Sequence, residues 1–193
     1  MKSLFFTSLV TSTLLFASQS NTSDPLKIKE EGIGYIKMLG SALKKELQTQ
    51  MKADKTALKA VKFCTDKASL ITQEVNKKLP KYAKVRRTAL KLRNHTQNYA
   101  DAIDTKVMQE YVDAIKVNSF NPHQIKVVKE GNTTRVYKPL LTLPVCLKCH
   151  GTDIKGELKE HINKAYPEDK AVDFKVGSLR GAIVAEIQKE SSL

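Results

Sequence analysis

The run Pro-Val-Cys-Leu-Lys-Cys-His at 144–150 constrains this chain more than any other feature. Cys146 and Cys149 are two residues apart, and His150 follows directly. Three chemistries use such a cluster: a zinc clamp, a dithiol redox pair, or covalent attachment of haem c. Zinc needs about four ligands at characteristic spacings. There is no second C-x-x-C here, and His161 is the only histidine further along. A dithiol redox motif asks for a βαβ setting and makes no use of His150. C-x-x-C-H is the attachment signature of haem c, and that chemistry uses every residue. The thiols of Cys146 and Cys149 add to the two vinyl groups of one porphyrin, and His150 falls beneath the iron as proximal ligand. One covalently attached haem c is the expected cofactor, so the fold must build a pocket beside residues 146–150.

The other end of the chain fits that chemistry. Lys2 precedes an uncharged stretch from Leu4 to Ala17, and Ser18-Gln19-Ser20 follows. Residues 1–20 read as a secretory signal peptide, too short for a membrane span of roughly 20 apolar residues. A periplasmic protein with no permanent span after cleavage is expected. Residues 21–30 read as a flexible lead and 31–190 as one haem-binding domain. With 27% charged and 41% hydrophobic residues, the composition is that of a globular chain. The formal charge of +13 would steer the protein toward an acidic redox partner or an anionic membrane. Export makes nucleic acid a poor partner. The same lysines also serve simply as a solvated surface.

Apolar residues Ile36, Leu39, Leu43, Leu47 and Met51 recur every three or four positions, predicting an amphipathic helix over 31–52. Asp54 stands where an N-cap would stand, and a second helix is expected to end before Pro80, with Ala57, Val61, Cys64, Ala68, Ile71 and Val75 on one stripe. The stretch 81–98 is basic. Spacing through Ile103, Val107, Met108, Tyr111 and Ile115 predicts a helix over 99–117. Two strands joined at Gly131-Asn132 follow, and "LRGAIVAEIQK" reads as a last strand. Helices first and strands later make an α+β protein.

Cys64, the third cysteine, carries two readings. A stripe position suits a small core residue. A six-coordinate haem also needs a second axial ligand, and the rivals of Cys64 are the four methionines, Met1, Met38, Met51 and Met108, with Met38 and Met51 able to reach a pocket from the first helix, and His95, His123 and His161.

Four stretches carry a further likeness: "VRRTALKLRN" at 85–94, "YKPLLTLPVCLKCHGT" at 137–152, "AYPEDKAVDF" at 165–174 and "VGSLRGAIV" at 176–184. With a cysteine in an early helix, the chain resembles a family of exported or membrane-tethered single-haem proteins with a PAS-like fold, catalogued as a domain of unknown function. The resemblance implies N-terminal helices packed on a PAS-like antiparallel sheet, with the CxxCH segment beside it. It also implies a haem c held by Cys146, Cys149 and His150, with the thiolate of Cys64 on the opposite face. Two positions depart from the family's pattern: His95 replaces a proline, and Ser178 an acidic residue near Arg180.

Arg86, Arg87, Arg93 and Arg180 are candidates to pair with haem propionates, because guanidinium matches carboxylate geometry; plain surface charge is the competing reading. Tyr137 and Tyr166 could line the haem edge or pack in the core. An anionic thiolate ligand implies a low reduction potential. The expected function is electron transfer or redox chemistry, with a haem-based redox or gas sensor as the alternative. No acid/base residue for peroxidase-type catalysis is evident, so an enzyme is not expected.

Overall fold

The computed structural model describes residues 24–189. The leader assigned to residues 1–20 lies outside them. The first helix, α1 (Pro25–Ala53), starts where Asp24 accepts the Leu26 amide and Pro25 takes the first helical position. Residues 25–30, expected as a flexible lead, are therefore helical. Ile28, Gly32, Ile36 and Leu39 form its buried face. Leu47, which the periodicity placed on that face, is exposed.

The single helix expected over 54–78 is two, α2 (Leu58–Asp66) and α3 (Ala68–Lys77), broken at Lys67 with φ −120°. The Thr65 hydroxyl bonds the Lys62 carbonyl and the Asp66 carboxylate. Such local side-chain bonds compete with the helical ladder. Asp54, expected as the N-cap, ends α1 instead; its carboxylate accepts the amides of Thr56 and Lys59, and the N-cap position of α2 is Ala57 at φ 70°.

Four antiparallel strands make one sheet. β1 (Ala83–Thr88) lies at one edge, followed by β4 (Leu179–Gln188), β3 (Thr133–Leu141) and β2 (Lys126–Glu130). β1 falls in the basic stretch for which the sequence indicated no element. The helix α4 (Ala102–Lys116) links β1 to β2, and its first turn is closed by a capping box between Asp101 and Asp104. Gly131, at φ +55°, makes the β2–β3 turn.

Strand alternation sends neighbouring side chains to opposite faces. On one face Ile36, Leu39, Val75, Val85, Val136, Ile183 and Ala185 pack with α1 and α3. The approach is so close that a Cβ on Gly32 would stand 2.5 Å from Val136 Cγ2. On the other face α4 packs Val107, Met108 and Tyr111 on Tyr137, Ala182 and Val184. A 3-10 turn (Pro144–Cys146), α5 (Leu147–His150) and α6 (Gly156–Ala165) lie between β3 and β4. There Val61 of α2 meets Ile154 and Ile162, with Cys149 packed against them. The protein is α+β, with N-terminal helices on an antiparallel sheet, as the sequence indicated.

Candidate functional site

The Cys-x-x-Cys-His turn is fixed at both ends. Before it, the Thr142 amide bonds the Ser178 carbonyl at 2.8 Å, and the Gly177 amide bonds the Thr142 carbonyl at 2.9 Å. After it, the Asp173 amide reaches the Gly151 carbonyl at 3.2 Å and the Phe174 amide reaches the His150 carbonyl at 2.9 Å. The turn is thus stitched to the chain that leads into β4. Cys64, Cys146 and Cys149 are all free thiols.

The ring of His150 is held by its inner nitrogen. Nδ1 lies 2.7 Å from the Ala171 carbonyl; a carbonyl only accepts, so Nδ1 carries the proton and Nε2 presents a lone pair. The Nε of Arg180 stands 3.5 Å from that lone pair, the far limit of a hydrogen bond. Phe174 meets the imidazole edge to face, with ring centroids 6.1 Å apart. Burial, reinforced by Arg180 and Arg93, pushes the His150 pKa down to about 3, so the ring stays neutral.

Cys64 sits in the last turn of α2, and the Tyr166 hydroxyl donates to its carbonyl at 3.3 Å. Burial pushes its thiol up, opposed by the charges of Arg87, Arg93 and Arg180. Burial also pushes Cys149 up, to about 11, with Cys64 and Cys146 adding to the effect. These residues therefore share one electrostatic neighbourhood, although they come from α2, β1, the loop after it, α5 and β4. Arg180 is driven down to about 10 by burial, with Arg93 and Arg87 contributing. Burial lowers Arg87 as well. Its Nε is buried without a hydrogen-bond partner among the described residues. A buried cation without an anion is costly, which marks a place for a carboxylate.

The four arginines singled out from the sequence divide. Arg87 and Arg180 face the site. Arg86, one residue along β1, points to the opposite face, where it pairs with Asp104 at 2.8 Å and Glu186 at 2.6 Å. Tyr137 is on that face too, fully buried, donating to Asp104 at 2.9 Å; it is a core residue and does not border the site. Arg93 is near the site but committed, its Nη2 lying 2.9 Å from Asp169. Of the rival ligands, His95 bonds the Glu168 carbonyl at 2.8 Å, His123 is exposed in a loop and Met38 is exposed on α1. Met51 and His161 are half-buried on α1 and α6.

Asp169, Ala171 and Phe174 were not identified as site residues by sequence reasoning. All three lie in the "AYPEDKAVDF" stretch, whose composition assigns no role to its backbone. Among the described residues no three His, Cys, Asp or Glu side chains gather as they would around a metal ion. No described helix is long and apolar enough to cross a membrane.

Comparison with known proteins returns one family. The model of the Tll0287-like family matches residues 17–187. The crystal structure of the cyanobacterial heme-protein Tll0287 is similar in fold, with a TM-score of 0.60 at 22% identity, covering 88% of this chain and 99% of that one. No curated protein matches.

Proposed function

This chain belongs to the Tll0287-like family, and on that premise we propose that it is an exported, periplasmic haem protein that carries electrons. Cys146 and Cys149 would hold one haem c through thioethers, and His150 and Cys64 would donate to its iron. The observation that carries this reading is the tautomer of His150. Its proton is tied to the Ala171 carbonyl, so the Nε2 of the CxxCH histidine keeps a lone pair that meets only the long contact from Arg180 at 3.5 Å. Three further features support it. All three thiols are free. Among the described residues the buried Nε of Arg87 lacks a hydrogen-bond partner, and Arg180, stacked over the Phe174 ring, makes long contacts to a ring nitrogen and the Lys91 carbonyl. The two arginines suit the two propionates.

Bound there, haem iron would supply one-electron redox chemistry. The residues divide the remaining work. His150 donates its Nε2 lone pair from a ring that cannot rotate. Arg87 and Arg180 supply positive charge to offset propionate carboxylates. Phe174 and the Val61, Ile154 and Ile162 cluster exclude water from one side. Cys64 supplies an anionic sulfur, which favours the ferric state and lowers the potential. The basic surface suits an acidic redox partner.

One observation favours the second reading, a redox or gas sensor. Burial raises the Cys64 thiol, so protonation of this ligand competes with its bond to ferrous iron, and loss of the ligand would open a coordination position. Carbon monoxide binding to the reduced protein separates the two: a carrier excludes it, and a sensor takes it up readily.

The reading is tested on protein exported by a host able to attach haem c. The expected result is a pyridine haemochrome band of a bis-thioether haem, with pigment that stays on the polypeptide in acidified organic solvent. A colourless chain, or one that releases its pigment, overturns the proposal. In Cys64→Ala the low-spin thiolate signature of the ferric spectrum should disappear; an unchanged spectrum removes Cys64 as a ligand.

A further inference from the structure

Two segments far apart in sequence run side by side next to the CxxCH turn. The Lys170 amide bonds the Leu92 carbonyl at 2.8 Å, the Lys91 ammonium reaches the Val172 carbonyl, and His95 holds the Glu168 carbonyl. In the middle of this strap lies a buried ion pair, Arg93 with Asp169, whose side chains are only 9% and 6% exposed. Both partners do more than pair. Asp169 Oδ1 accepts the Ala171 amide at 2.8 Å. Arg93 Nη2 donates to the Cys149 carbonyl at 2.5 Å and to the Ala171 carbonyl at 3.3 Å. The Ala171 carbonyl is the oxygen that receives the Nδ1 proton of His150.

We propose that Arg93 and Asp169 are positioning residues for His150: their ion pair pins the Ala171 carbonyl, and so fixes the ring and sets how strongly Nε2 donates. This rests on the haem reading of the site. The carbonyl of Cys149, just before His150, and the carbonyl facing its ring are held by one guanidinium. Asp169 holds the Ala171 peptide from its amide side. Arg93 also shares the Ala171 oxygen with the imidazole. A cationic donor there draws electron density away from the Nδ1–H···O bond, so the ring keeps less imidazolate character and is a weaker donor to iron. Both effects of Arg93, the shared oxygen and the nearby charge, favour ferrous iron.

Arg93→Lys separates bridging from charge, because an ammonium keeps the charge but lacks the rigid fork that reaches Asp169, Cys149 and Ala171 together. Arg93→Gln removes both. Two quantities are measured on the exported full chain: hydrogen exchange of the Asp173 and Phe174 amides, which bond the Gly151 and His150 carbonyls, and the midpoint potential. Both variants should exchange those amides at least tenfold faster. In Arg93→Gln the ferric-to-ferrous ratio at a fixed potential should rise about tenfold, a fall of about 59 mV for one electron. Arg93→Lys should shift the same way by less. An Arg93→Lys protein that matches wild type in exchange or in potential overturns the proposal. Should the Arg93 variants fail to fold, Asp169→Asn must show the same faster exchange, and wild-type exchange there overturns it. If the wild type carries no haem, exchange alone still decides the role of the pair, while the haem reading fails separately.

Discussion

Gly181 on β4 is pressed against the end of β1. A Cβ there would stand 2.4 Å from the Thr88 carbonyl oxygen and 3.1 Å from Ala89 Cβ. The first obstacle is backbone, so no rotamer relieves it. The strand beyond Thr88 leads to Arg93, and Arg180 precedes the glycine, so the tight contact joins two arms of the site. Gly181→Ala is expected to cost about 1–3 kcal/mol through overpacking, read as a lower urea midpoint. A midpoint equal to wild type would show that β1 can yield there. At this scale the spacing of Cys146, Cys149 and His150 singled out the turn that the structure stitches to the chain leading into β4. Arg93 was legible as a cation near the site but not in its role. Its partner Asp169 is 76 residues away, and no local pattern announces such a pair.

Among the elements, α4 docks through a charged node. Asp104 has no exposure. It takes Arg86 at 2.8 Å, Arg135 at 3.3 Å and the Tyr137 hydroxyl at 2.9 Å while closing the capping box with Asp101. Asp104→Asn takes one carboxylate from Arg86, which keeps Glu186, and from Arg135, which keeps Asp101, and is expected to cost about 1–3 kcal/mol, measured by chemical denaturation. Because the node lies across the sheet from His150, the visible spectrum of the folded fraction should not change; a spectral shift would place Arg86 back at the site. The same node explains a misreading. Consecutive arginines in β1 looked equivalent in sequence, yet a strand sends Arg86 and Arg87 to opposite faces. With β1 itself unrecognised, that division was hidden. Its two arginines give it an unusually polar pattern, and only the node on one face and the site on the other make it tolerable. The hydrophobic stripe through Val61, Cys64, Ala68 and Val75 was read correctly, but not the break at Lys67, which depends on how the Thr65 hydroxyl is spent.

Across the whole molecule, one carboxylate gathers distant parts of the chain. Glu31 of α1 accepts from Tyr35 at 2.7 Å, from Tyr82 ahead of β1 at 2.9 Å and from Lys189 just after β4 at 2.7 Å. Burial pushes this carboxyl up, but hydrogen bonds from Lys189, Tyr35 and Tyr82 overcome it and hold the group below its ordinary value of 4.5. A carboxylate depressed on folding stabilises the protein above its unfolded pKa, and that contribution is lost as the pH falls through the folded one. Glu31→Gln should therefore be less stable than wild type by about 1 kcal/mol at pH 7. The gap should close as the pH drops below 4.5. Urea midpoints at pH 7 and pH 3 decide it, and a gap that persists in acid means that packing, not charge, makes the tie. The α+β class was open to sequence reasoning because periodicity is local. The strand order was not, since it depends on which distant segments meet.

That order also sets a timetable. The strand that lies between β1 and β3 is the last of the four to leave the ribosome, some thirty residues after Cys149. Until it arrives β1 has no strand to pair with, and the β2–β3 hairpin stands apart from it. Until then the two thiols of the motif stand on an unfinished sheet. Insertion of the final strand then draws Arg180 and Phe174 in behind them and shuts the door.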